Sequence, residues 1–163
     1  MSRTDELVEA NARYAERFEK SDLPIPPAKR AAVVTCMDAR LETGRMLGLE
    51  EGDAHVIRNA GGIVTEDVIR SLMISQHLLG TREVIVIRHT GCGMLTFTDA
   101  ELEERVENET GVKPPFPAGA FADLELGIRE SLERIRSSPF LAHSESVRGF
   151  VYDVKTGLLR EVA

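Results

Sequence analysis

Two apolar segments, each running straight into reactive side chains, constrain this chain most. Ala31-Ala32-Val33-Val34 leads through Thr35 into Cys36, Asp38 and Arg40. Glu83-Val84-Ile85-Val86-Ile87-Arg88 leads into His89-Thr90-Gly91-Cys92-Gly93. Short continuous apolar runs closed by polar groups read as strands buried on both faces of a parallel sheet. Open α/β sheets bind ligands beyond the carboxyl ends of their strands. Two such strands therefore deliver a cysteine, a histidine and a second cysteine to one rim.

The segments between them fit the same design. Ala54–Arg58 reads as a further strand, followed by Asn59-Ala60-Gly61-Gly62. Thr65 is placed as an N-cap, with Glu66 and Asp67 where a helix dipole favours anions. Val68, Ile69, Leu72, Met73 and Leu79 form one helical face, and Gly80 closes it. The strand–helix–strand order is a βαβ unit. Farther on, Thr98 and Glu101 have capping-box spacing and open a polar helix that ends at Gly111. Phe121, Leu124, Ile128, Leu132 and Ile135 mark an amphipathic helix. Residues 147–154 read as a last sheet strand, and 158–162 as a short antiparallel edge strand. The expected fold is α/β, with a mainly parallel four-stranded sheet, that edge strand, and helices on both faces. Residues 1–163 form one domain, of which 1–27 are an N-terminal helical arm. The arm's helix is expected over 4–19. It packs either on its own domain or on a second subunit. Leu23-Pro24-Ile25-Pro26-Pro27 then extends, because proline lacks an N–H and fixes φ.

Composition narrows the partners. A net charge of −7 disfavours nucleic acid and anionic membrane surfaces. No run approaches the ~18 apolar residues of a membrane span, and Met1-Ser2-Arg3-Thr4-Asp5-Glu6 starts no signal peptide. A cytoplasmic protein is expected. There, two cysteines favour thiol or metal chemistry over a structural disulfide.

Zinc accepts thiolate sulfur and imidazole nitrogen in tetrahedral geometry. Cys36, His89 and Cys92 supply three such ligands, and no third cysteine exists to close the site. An open position holds water, whose pKa zinc lowers from ~15.7 toward ~7. Asp38 can accept a hydrogen bond from that water and orient it, while Arg40 holds Asp38 in a bidentate pair. If the pair breaks, Asp38 becomes a fourth ligand in a closed state. His55, His77 and His143 have no such company and read as ordinary surface or packing residues.

Cys36-Met37-Asp38-Ala39-Arg40 and His89-Thr90-Gly91-Cys92-Gly93 resemble the two signature motifs of the β-class carbonic anhydrases. Arg58-Asn59-Ala60-Gly61-Gly62 resembles that family's segment between them. The likeness runs from about Pro27 to Gly157 and is nearest the short archaeal and actinobacterial branch. The resemblance implies a zinc enzyme interconverting carbon dioxide and bicarbonate, working as a homodimer or homotetramer. It places metal ligation on Cys36, His89 and Cys92, and the catalytic dyad on Asp38 and Arg40. It suggests that Gly93 offers a backbone N–H to the substrate, and a substrate pocket is expected to be lined by Ile63, Met37 and the Gly61-Gly62 backbone. One departure stands out. Many plant-type members carry a glutamine about nine residues before the first cysteine, and here that position is Pro27. Two alternatives follow: a hydrolase of carbonyl sulfide or a similar heterocumulene on the same zinc site, and a zinc-storing or redox-sensing protein without turnover. The missing fourth soft ligand and the Asp38–Arg40 pair weigh against the last.

Overall fold

A computed structural model describes residues 2–163. Five strands form one sheet in the order β2-β1-β3-β4-β5, where β1 is Ala31–Cys36, β2 Ala54–Asn59, β3 Glu83–His89, β4 Val147–Tyr152 and β5 Leu159–Glu161. The first four are parallel, and β5 pairs antiparallel with β4. The helices are α1 (Arg3–Ala15), α2 (Thr43–Leu47), α3 (Glu66–Leu79), α4 (Asp99–Thr110) and α5 (Leu124–Arg136).

The register explains why the two motifs meet. Val34 lies between Ile57 and Val86, and Thr35 pairs with Ile87, so β1 and β3 end at the same rim. Along one sheet face, Ala32, Val34, Val84, Val86, Val147 and Val151 pack against Val68 and Leu72 of α3 and Ile128, Leu132 and Ile135 of α5. Burying each such side chain stabilises the fold by roughly 1.5–3 kcal/mol. Helices α3 and α5 thus share a face. On the other, Val33 and Ile87 are buried but Val56 remains 43% exposed.

The helix termini follow their local sequence. Thr65 accepts the Val68 N–H and Gly80 adopts a left-handed conformation after α3. Thr98 and Glu101 form a reciprocal capping box on α4. The N-terminal helix is shorter than expected, ending at Ala15 rather than residue 19. The chain then turns, and the Phe18 ring packs at a tilt beside Tyr14, their centroids 5.7 Å apart. No residue of α1 is buried. The Tyr14 hydroxyl donates to Glu51, and Lys20 pairs with Glu51 at 2.9 Å. Among the described residues, no helix is long and apolar enough to cross a membrane.

Candidate metal centre

Cys36 is the last residue of β1, His89 the last of β3, and Cys92 lies in the turn that follows β3. That turn reverses at Gly91, which has a φ of +63°, and a short 3-10 turn begins at Gly93. All three ligand-bearing residues are buried, and one ligand atom from each lies within 4.8 Å of the others. The two Sγ atoms are 4.0 Å apart. Two thiolates sharing a tetrahedral zinc at ~2.3 Å would stand about 3.8 Å apart.

The histidine carries the sharpest evidence. Its Nδ1 lies 3.0 Å from the Thr90 carbonyl oxygen, which can only accept, so Nδ1 holds the proton and donates. Nε2 is then a lone-pair acceptor, and it is buried with no hydrogen-bond partner. Asp38 Oδ2, at 3.6 Å, is too distant for one. Burial lowers the His89 pKa, which favours the neutral imidazole that a metal requires. Burial also pushes the Cys92 thiol up, and the Cys36 sulfur beside it adds to the rise. A divalent cation would relieve that cost by accepting both thiolates. The donor set therefore fits zinc.

Asp38 stands at the edge of this cluster, its Oδ2 3.6 Å from His89 Nε2, and is held there. Its Oδ1 accepts from the Arg40 backbone N–H and Nε, each at 2.9 Å, and its Oδ2 accepts from Arg40 Nη2 at 2.7 Å. Arg40 Nη2 also donates to the Gly91 carbonyl at 2.8 Å, tying the two motifs together. These Arg40 hydrogen bonds hold the Asp38 carboxyl far below the usual carboxylate range. A carboxylate kept ionised at the edge of a metal cluster, without joining it, can accept a proton-bearing group placed there.

The glycine pair lets backbone approach closely. Gly62 has a φ of +61°, and a Cβ built there would lie 2.9 Å from Cys36 N and from the Thr35 carbonyl carbon. Only glycine lets this loop rest on the end of β1. Gly61 is buried beside it, against Phe121 and Met94. Gly93 has open space above its Cα.

Two positioning residues escaped the sequence reading. Arg58 donates from Nε to the Cys36 carbonyl at 3.0 Å and from Nη2 to the Asp38 carbonyl at 2.8 Å. Asn59 clamps the glycine loop by bonding both the N–H and the carbonyl of Ile63. Both stand in the Arg58–Gly62 segment, and their adjacency to Gly61-Gly62 was the available signal. Met37 is 65% exposed. Pro27 is buried before the start of β1, whereas Cys36 stands at its other end, about 17 Å of strand away. A donor at position 27 could not reach the cluster of its own chain. His55 bonds Ser75 Oγ, His77 bonds the Phe140 carbonyl, and His143 lies 3.7 Å from Glu145, all outside the cluster.

The comparisons with known proteins agree. A family model described as carbonic anhydrase matches residues 31–116. The chain is 54% identical to β-carbonic anhydrase 1 of Mycobacterium bovis, across 99% of each chain. It is 36% identical to a carbon disulfide hydrolase of an Acidianus strain, covering 91% of this chain and 83% of that one. Its fold superposes on a carbonic anhydrase from Streptococcus mutans with a TM-score of 0.95 and 44% identity, over 100% of this chain and 99% of that one. With its paired strand ends, its Cys–His–Cys cluster and these relatives, the chain belongs to the β-carbonic anhydrase family.

Proposed function

We propose that this chain catalyses the reversible hydration of carbon dioxide to bicarbonate and a proton, with one zinc ion held by Cys36, His89 and Cys92. The observation that carries the reading is the unpartnered, buried His89 Nε2 set between two thiols. Zinc, when bound, supplies a Lewis acid that lets water ionise near neutral pH. Cys36 and Cys92 serve as thiolates, and the Nδ1–H bond to Thr90 fixes the imidazole for ligation. Asp38, fixed as a carboxylate by Arg40, accepts the hydrogen bond of the attacking oxygen and aims its lone pair at the substrate carbon. Backbone N–H groups at Gly93 and in the Gly61-Gly62 loop are proposed as neutral donors to the substrate's oxygens. The carbon–oxygen bond forms as one carbon–oxygen double bond gives up its electron pair to oxygen. The proton released leaves to solvent.

The same reading makes the working form a homodimer or homotetramer in the cytoplasm. Its support is α1, which presents Leu7 and Val8 at 72% and 64% exposure and buries nothing on its own chain.

A second reading, hydrolysis of a sulfur heterocumulene such as carbon disulfide or carbonyl sulfide, is favoured by the carbon disulfide hydrolase relatives. Both substrate types are small, linear and uncharged, and apolar contacts separate them by only ~1–3 kcal/mol. Stopped-flow hydration of carbon dioxide by zinc-loaded protein, run beside sulfide release from carbonyl sulfide and carbon disulfide, decides between them. The expected result is a higher kcat/KM for carbon dioxide; a higher value for either sulfur compound overturns the primary reading. In the same series Cys36→Ala, His89→Ala and Cys92→Ala are expected to lose zinc and turnover together. Full zinc in any of them removes that residue from the ligand set.

A further inference from the structure

Arg88 immediately precedes the ligand His89, yet its side chain serves no contact of the metal cluster. It is only 4% exposed, and no carboxylate pairs with it among the described residues. Nη2 donates to Ser131 Oγ at 3.2 Å, while Nε and Nη1 are buried without any acceptor. Burying a guanidinium in this state is costly, because each unmet donor has lost water without replacement.

The surroundings are shaped to keep it there. The guanidinium carbon sits 4.2 Å from the centroid of the Phe121 ring, a cation–π contact. Against it also lies Gly127, inside α5, where a Cβ would fall 2.0 Å from Nη1. Glycine weakens a helix interior, and here its absent side chain is what admits the arginine. Ser131, one turn later, supplies the single hydrogen bond. Phe121, Gly127 and Ser131 thus cradle a charged group that the protein itself leaves largely unpaired.

That group forms part of the wall of a cavity of about 740 Å³. The apolar part of the lining comes from Ile63, Phe116, Pro117 and Phe121, and the polar part adds a second cation, Arg134, and the carboxylates of Glu66 and Asp67. Glu130 lines the same cavity but makes no ion pair with Arg88. The size suits a small organic molecule. A planar carboxylate head matches a guanidinium with unused donors, and an apolar body matches the walls. We infer that this cavity, lined by none of the metal ligands, binds a small monocarboxylate, its head on Arg88 and its body against Phe116, Pro117 and Phe121.

The experiment uses the zinc-loaded full chain and benzoate, with acetate and bicarbonate as probes of the head alone. Titration is followed by 15N NMR, including the arginine Nε–Hε signals. Benzoate is expected to shift the Arg88 Nε–Hε, Gly127 and Ser131 signals saturably, and to bind at least tenfold more tightly than acetate or bicarbonate. Arg88→Gln is expected to weaken benzoate at least tenfold while retaining its zinc. The wild-type Nε–Hε signal keeps the test decisive if that variant does not fold. Absence of a saturable shift at Arg88, or unchanged benzoate affinity in folded Arg88→Gln, overturns the site. Equal affinity for benzoate and bicarbonate overturns the apolar half of the assignment.

Discussion

At the scale of single residues, Arg40 is the test of how the site is kept open. It provides three of the hydrogen bonds that fix Asp38, two from its guanidinium and one from its backbone. Arg40→Ala removes both guanidinium bonds and the tie to the Gly91 carbonyl. Asp38 Oδ2 already lies 3.6 Å from His89 Nε2, so little movement brings it to a metal held there. The Asp38 carboxyl is ionised across the working range because its pKa is depressed; its pairing is intact above the ordinary value of 3.8 and fades only as pH falls through a still lower folded value. Loss of Arg40 therefore acts by freeing a carboxylate, not by protonating one. Turnover near pH 7 is expected to drop roughly 10–100-fold with zinc retained, and to recover in part as pH rises and hydroxide competes for the metal. Steady-state rates from pH 6 to 9.5 check this; a profile matching wild type removes Arg40 from the role.

At the scale of elements, the glycine loop after β2 separates a packing constraint from a merely permissive position. An alanine at 62 would meet backbone atoms of Thr35, Cys36 and Ile87 at 2.9–3.1 Å, and its φ of +61° is strained for any side chain. The obstruction is backbone, so the end of β1 must move and take Cys36 with it. Gly62→Ala is expected to destabilise by about 2–4 kcal/mol and to weaken zinc retention. Gly93→Ala, with open space and an ordinary φ, is expected to stay within about 1 kcal/mol of wild type. Denaturant unfolding of both variants, with metal analysis, makes the comparison; equal stability at the two positions contradicts it. The same loop shows what the sequence made legible. Strands β1 and β3 were readable because uninterrupted apolar runs ending in polar groups admit few other placements, and the α3 and α4 caps because their spacing is local. Which backbone Gly62 approaches was not legible, because Thr35, Cys36 and Ile87 lie far away in sequence. Arg88 read as the flank of a strand for the same reason: Phe121, Gly127 and Ser131 are supplied by α5 and the loop before it. The end of α1 was misjudged because Phe18 continues an apolar pattern, although the chain has already turned to pack that ring beside Tyr14.

At the scale of the whole molecule, the question is what holds α1, and magnitudes decide it. Within one chain the helix is tethered mainly by Tyr14 and Lys20 to Glu51. That carboxylate has a depressed pKa, caused first by the Tyr14 hydrogen bond and then by Lys20, so the tether is complete above the ordinary value of 4.5 and is lost as pH falls through the lower folded value. Exposed polar contacts of this kind contribute little, because water and salt screen them. Leu7 and Val8 are different: they lie on a helix with no buried residue, and covering them with a second copy would stabilise by roughly 1.5–3 kcal/mol each. Removal of residues 1–22, or the double change Leu7→Asp with Val8→Asp, is therefore expected to shift sedimentation to a smaller species at pH 7. Glu51→Gln is expected to leave the assembly unchanged between pH 6 and 8 and at raised salt. If the truncated chain sediments as the full one does, the arm is not the assembly element. If Glu51→Gln dissociates the protein while the aspartates do not, the polar tether rather than the apolar face of α1 holds the subunits together.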